Sequence, residues 1–193
     1  MPELRHTANG FTIQNAGVEL ASAVTVGDAP AFESPRPYLH PIRSLDGCVV
    51  TDYRPIDHSW HWGLSVAIAN IDVPGEHEPV NLWGGVTYMR GREYVQLENN
   101  GEQRHEGFDG DTEQLTWFTA RGAPFVSERR RLRATVASST SWRLDIESEW
   151  TNVSTGAVRF GSPATAGRPN AGYGGLFLRG AQDLRGAEVI LDG

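Results

Sequence analysis

Between Arg36 and Gly63 the chain gathers Arg36, His40, Asp57, His58 and His61, with Trp60 and Trp62 interleaved among the last two imidazoles. An imidazole titrates near neutrality, so a histidine beside a carboxylate is the simplest pair of groups for moving a proton at physiological pH. On that ground His40, His61 and Asp57 are the candidate catalytic residues, with Glu106 as a second carboxylate. Tryptophans beside polar groups suit a sugar ring, because the indole offers a flat apolar face while neighbouring side chains hold hydroxyls. Trp62 and Trp83 are the candidate stacking residues, and Arg36, His58 and His105 the candidate polar contacts, with Asn81 able to join them.

Two other readings use the same residues. Asp57-His58-x-x-His61 offers a carboxylate and two imidazoles, and His40 can add a third nitrogen, which is donor enough for zinc, manganese or ferrous iron. An extended strand would point His58 and His61 to opposite faces, so a shared metal requires a turn between them. The donors alone name no cofactor. Alternatively, the histidines satisfy backbone groups and the tryptophans fill a core. That packing reading is the better one for His6, in a terminal segment, and for His77, in an acidic loop.

The elements that must position these side chains read as strands. Pro35, Pro37, Pro41 and Pro55 fix φ and remove amide donors, which makes their segments rigid loops or sheet edges. Cys48 to Tyr53 is short and β-branched, and follows the Asp46-Gly47 turn signal, so the stretch reads as strand, turn, strand, then an imidazole-rich loop. Phe11 to Gln14, Val18 to Val26 and Leu39 to Arg43 are short runs separated by turns. Gly63 to Ile71 alternates Leu64, Val66 and Ile68 with the small Ser65, Ala67 and Ala69, whose face leaves room for a ligand.

Asn81 to Gly85 forms a sharp aromatic turn, and Tyr94 to Leu97 resumes an extended pattern. Leu115 to Thr119, Phe125 to Val136 and Ala187 to Leu191 are further strands. Trp142 to Thr151 alternates strictly, which predicts Leu144, Ile146 and Trp150 buried and Arg143, Glu147 and Glu149 exposed. Residues 166–175 lack periodicity and read as a long loop whose glycines match no phosphate-binding fingerprint. The expected fold is all-β, an antiparallel β-sandwich of two packed sheets. Arg36, His40, Asp57, His58 and His61 are expected to converge on one concave site.

With 193 residues the chain suits a single β-sandwich domain spanning 1–193. A formal charge of −7 argues against a nucleic-acid partner, and Arg129, Arg130, Arg131 and Arg133 alternate faces on a strand instead of forming a patch. Cys48 is the only cysteine, so no intrachain disulfide forms and a reducing, cytoplasmic location is expected. The N-terminus lacks the apolar core of a signal peptide, and no apolar run reaches the roughly 20 residues that span a bilayer. The expected partner is a small molecule, a carbohydrate, with no membrane or nucleic acid; composition sets no oligomeric state.

The blocks R-P-Y-L-H-P-I-R, G-C-V-V-T, D-H-S-W-H-W-G-L and N-L-W-G resemble a soluble bacterial family called PmoA-like, or methane oxygenase, whose members share R-P-Y-x-H-P and D-H-x-x-H-x-G. The resemblance is strong from Arg36 to about Phe108 and weaker through Trp117 to Trp150 and Gly172 to Arg179. It implies a soluble β-sandwich of unassigned activity, in which Arg36, His40, Asp57, His58 and His61 are block residues. It also implies further strands beyond Gly193, so that the chain is C-terminally incomplete. The chain is further similar to the galactose mutarotase-like supersandwich, where a histidine and a carboxylate handle a sugar. The leading expectation is therefore a sugar isomerase, epimerase or lyase. A non-catalytic sugar-binding or interaction domain and a metal-dependent oxidoreductase, which the family label suggests, are the alternatives.

Overall fold

The computed structural model describes residues 2–25, 28–184 and 186. Short β-branched and aromatic runs between glycine- and proline-bearing turns give strands: β1 (Glu3–Thr7), β2 (Gly10–Asn15), β3 (Val18–Val24), β4 (Tyr38–Ile42), β5 (Leu64–Ala67), β6 (Thr87–Met89), β7 (Glu93–Val95), β8 (Glu102–Asp109), β9 (Thr112–Phe118), β10 (Pro124–Val136), β11 (Trp142–Asn152) and β12 (Gly175–Leu178). Among the described residues the only helical turns are two of 3₁₀ type, at Ala31–Glu33 and Gln182–Leu184. None is long and apolar enough to cross a membrane.

The strands form a six-stranded sheet in the order β1-β2-β3-β4-β5-β12, a four-stranded sheet in the order β11-β10-β9-β8, and the two-stranded hairpin β6-β7, with every strand pair antiparallel. The two larger sheets make an all-β sandwich, and side chains from both fill two apolar clusters. Phe11, Leu20, Leu39 and Ile42 meet Phe108, Leu132 and Leu144 in one. Val66 and Ile68 meet Trp117, Phe125 and Val126 in the other. Each fully buried aliphatic or aromatic side chain contributes about 1.5–3 kcal/mol relative to exposure.

A polar layer is threaded through this interior. Glu128, wholly buried, accepts hydrogen bonds from Arg130 at 2.8 and 2.9 Å, from Trp117 Nε1 at 2.7 Å and from Ser148 Oγ. Arg130 also donates to Gln103 Oε1, and Gln103 Nε2 donates across the sandwich to the carbonyl of Val66 at 2.8 Å. Trp142 Nε1 makes a second inter-sheet bond, to the carbonyl of Arg43 at 2.8 Å. These directional bonds fix the register of one sheet over the other.

The structure departs from the sequence reading in several places. Cys48 to Tyr53 forms no ladder strand; it is held by isolated bridges Arg43↔Val49, Thr51↔Gly180 and Tyr53↔Trp62. The strand expected from Gly63 to Ile71 is confined to β5, because the chain turns at Asn70, whose φ is +56°. In β11 the alternation holds at its start, with Leu144 and Ile146 half-buried and Arg143 and Glu147 exposed, but Trp150 is exposed too. β11 is an edge strand, and Trp150 leans on Trp117 and Phe160 at the rim of the sandwich. The strand expected at 187–191 lies outside the described residues, as does Val26.

Candidate functional site

The segment carrying His58 and His61 is neither strand nor helix. The amide of His58 bonds the carbonyl of Pro55, the amide of His61 bonds that of His58, and Arg54 N–H returns to the carbonyl of His61, each at 2.9 Å. Successive tight turns bring the two imidazoles to one side, stacked with centroids 4.7 Å apart and planes 29° apart. Beneath them lies Arg36, which is buried. Its Nε donates to Ser65 Oγ at 3.1 Å, Nη1 to the carbonyls of Glu33 and Ser34 at 3.0 Å, and Nη2 to the carbonyl of Trp60 at 2.7 Å. The guanidinium also rests 4.9 Å over the Trp62 ring. Burial pulls its pKa down to about 9, against the raising effect of Glu33 and Tyr53.

Arg36 is thus a clamp that fixes the 33–36 turn, β5 and the base of the histidine loop, and it does not face a cleft. Trp62, also buried, gives its Nε1–H to Glu33 Oε2 at 3.0 Å and to the carbonyl of Ser59 at 2.9 Å. Both side chains are thus engaged by bonds within the fold.

The facing wall is built on Asn81. Its Oδ1 accepts from the amides of Trp83 and Gly84 at 2.8 and 3.0 Å, while Nδ2 donates to Gly85 O and Thr87 Oγ1. This side-chain-closed turn presents Trp83 outward and engages both polar atoms of the Asn81 side chain. Gly84 and Gly85 take φ of +95° and +67°, and Trp60 lies flat on them: a Cβ on Gly85 would come within 2.6 Å of its ring. Only glycine meets both demands.

The two walls meet where His61 stands edge-on to Trp83 at 5.7 Å, and over them opens a cleft of about 640 Å³. His58, Trp60, His61 and Trp83 line it, with Ala69 from the small-residue run after β5. Tyr88 and Tyr94 reach it from the β6-β7 hairpin, Pro163, Arg168 and Tyr173 from the long loop, and Phe177 from β12. Trp83 packs against Tyr173 at 4.7 Å and Phe177 at 4.8 Å, and His61 against Phe177 at 4.9 Å. The Tyr94 and Tyr173 hydroxyls are 2.7 Å apart, and Arg168 Nη1 donates to both.

His61 is held neutral. Burial, then the neighbouring His58, Arg179 and Arg36, press its pKa down to about 4. Arg179 Nη1 lies 3.3 Å from its Nδ1, and a guanidinium can only donate, so Nδ1 carries the lone pair and Nε2 the proton. His58 Nδ1 sits 3.1 Å from Asp57 Oδ2, an ion-pair contact without hydrogen-bond alignment, and that nitrogen is shut off from solvent. Any proton exchanged with a ligand passes through Nε2. The His58 contact holds the Asp57 carboxyl below its usual range. Burial and the Tyr94 hydroxyl push the Tyr173 phenol up to about 12.

The structure therefore gathers His58, His61 and Trp83 at the cleft, with Asp57 beside His58 but outside the lining. The expected convergence of all five block residues does not occur. His40 stands apart, with Nδ1 2.9 Å from Thr51 Oγ1 and its ring stacked on Tyr53, which stacks in turn on Tyr38; burial lowers its pKa. His105 belongs to the four-stranded sheet, where it pairs with the buried Glu113 at 2.9 Å. Among the described residues no three of His, Cys, Asp or Glu are grouped to hold an ion. The stacked faces of His58 and His61 send their lone pairs along separate planes.

Sequence reasoning missed Tyr88, Tyr94, Arg168, Tyr173 and Phe177. The available signal was the unpatterned stretch at 166–175, since long irregular loops in compact domains are commonly functional. Residues 11–192 match a family described as a family of unknown function (DUF6807). No curated protein and no solved structure matches the chain.

Proposed function

The chain belongs to this family of unknown function, and from the cleft it carries we propose that it is a carbohydrate-active protein, an isomerase, epimerase or lyase of sugars. The observation that carries the reading is a cleft of about 640 Å³ whose lining joins the stacked His58–His61 pair to the rings of Trp83, Tyr173 and Phe177, with His61 in contact with Trp83 at 5.7 Å and Phe177 at 4.9 Å. A sugar ring laid on Trp83 presents its C–H and O–H bonds to the imidazoles. His58, with Asp57 as counter-charge, takes and returns a proton through Nε2, and neutral His61 donates its Nε2–H to a substrate oxygen. His40, placed among the catalytic candidates by sequence, is in this reading a support for the Tyr53 stack.

The resemblance to PmoA-like proteins and to the galactose mutarotase-like supersandwich belongs to this proposal as well, resting on the Arg36–His40 and Asp57–His61 blocks and on the sandwich form. A second reading, a non-catalytic sugar-binding domain, is favoured by one observation: among the described residues no carboxylate lines the cleft. The two separate on His58→Gln. The full chain is screened against mono- and disaccharides by thermal shift, and bound sugars are followed by proton NMR in deuterated buffer. An enzyme exchanges or rearranges a sugar proton, and His58→Gln abolishes that while retaining affinity. Binding without any turnover in the wild type selects the binding domain, and no binding across the panel removes both readings.

A further inference from the structure

We propose that the ligand of the cleft carries a negative charge, a carboxylate or a phosphate, seated at Arg168 with Tyr94 and Tyr173. The inference rests on the carbohydrate reading above and makes the substrate an anionic sugar.

The argument is an inventory of hydrogen-bonding groups. Arg168 lies 5.0 Å over the Tyr94 ring and donates through Nη1 to the Tyr94 and Tyr173 hydroxyls. Among the described residues its Nε and Nη2 have no side-chain or backbone partner, and no carboxylate approaches it within ion-pair distance. The two hydroxyls share one bond, in which either donates, so one phenolic proton is left over for a ligand. At the other end of the cleft His61 is fixed as an Nε2–H donor by Arg179.

Donors therefore outnumber acceptors, and among the described residues no Asp or Glu lines the cleft to redress the count. The nearest carboxylate already placed, Asp57, is turned to His58 at the rim. A neutral sugar brings a donor with every hydroxyl and would find few acceptors. A carboxylate or phosphate brings only acceptors, and a guanidinium beside a phenol matches either one with charge-assisted bonds. The chain as a whole carries a charge of −7, so this bias is local to the cleft and opposite in sign to the molecule around it.

Binding of the full chain is measured by calorimetry for glucuronate and galacturonate, for glucose 6-phosphate and galactose 6-phosphate, for neutral glucose and galactose, and for cyclohexanecarboxylate as a non-sugar anion. At least one charged series should bind about tenfold or more tightly than its neutral parent, and that advantage should shrink with added salt. Which series wins tells carboxylate from phosphate. Arg168→Gln should erase the advantage of the charged series over its neutral parent, and Tyr173→Phe should reduce it. Arg129→Gln, at an exposed position on β10, should leave it intact.

Equal affinity for charged and neutral sugars, a preference that survives Arg168→Gln, or no anion binding at all would overturn the inference. If cyclohexanecarboxylate binds through Arg168 and no sugar does, the charge assignment stands and the carbohydrate reading falls. If neutral sugars bind and anions gain nothing, the reverse holds.

Discussion

The block around Arg36 and the cleft a few ångströms above it are made of the same residue types, an arginine, tryptophans and groups that bond them, yet they are opposite in state. Arg36, Trp62 and Glu33 are buried and partnered: three carbonyls and a serine hydroxyl hold the guanidinium, and the indole N–H is taken by Glu33 and Ser59. Arg168, Trp83 and the tyrosines are half-covered and keep donors in hand. What separates a scaffold from a site here is the number of polar atoms already engaged, since an engaged donor has nothing to offer a ligand and a free one does.

Substitutions on each side sharpen or break that contrast. Arg36→Met should cost about 3–5 kcal/mol of stability in chemical denaturation, because it strands the Glu33, Ser34 and Trp60 carbonyls inside the fold. Arg168→Gln should cost less than about 1 kcal/mol in the same measurement. Comparable losses at the two arginines would erase the distinction. Gly85→Ala tests the seam between the regions: the added methyl meets the Trp60 ring at a φ of +67°, so a loss of about 2 kcal/mol is expected together with a change in tryptophan emission. A variant as stable as wild type would mean that Trp60 is not seated on that turn.

Trp83→Ala should cost about 1–2 kcal/mol of stability but reduce ligand affinity about tenfold, so its signature is in binding and not in folding. The smallest effect is that of pH. Unfolded His61 takes up a proton near pH 6.5, whereas folded His61 resists until about 4. As pH falls through that window the unfolded chain gains the proton first, and stability is lost. With the ring half exposed, solvent screening leaves roughly 1 kcal/mol of this. The denaturation midpoint should fall from pH 6.5 to 4, less steeply in His61→Gln; His40, whose pKa is also lowered, contributes a slope of the same sign to both proteins. Identical slopes would remove His61 as the cause.

The fold was legible where pattern is local. Alternation over Trp142 to Trp150 predicts β11, and the short runs Phe11 to Gln14 and Val18 to Val26, separated by a turn, correspond to β2 and β3. Burial at Trp150 was not legible, because alternation marks a face and says nothing of how far the opposing sheet extends over it. The site was half legible. The imidazoles of His58 and His61 and the indole of Trp83 stand out by type, and the small-residue face yields Ala69. Which arginine is free and which is a clamp depends on contacts across 24 to 29 positions for Arg36, and no window of sequence contains them. Tyr173 meets Tyr94 across 79 positions, for the same reason.

β12 supplies Phe177 to the cleft and leads directly into Arg179, whose guanidinium reaches His61 across 118 positions. Among the described residues its ladder is with β5, at the edge of the six-stranded sheet, and Arg179 is tied in by backbone bonds to Asp52 and Gly63. Contacts this distant in sequence close late, since the loop between them must first be ordered. On a ribosome the sandwich strands and the imidazole loop emerge well before the strand that walls the cleft, so a nascent chain holds the histidines long before it holds a cavity. A ligand lodged against Phe177 would pin down β12, the strand that supplies this wall of the cleft.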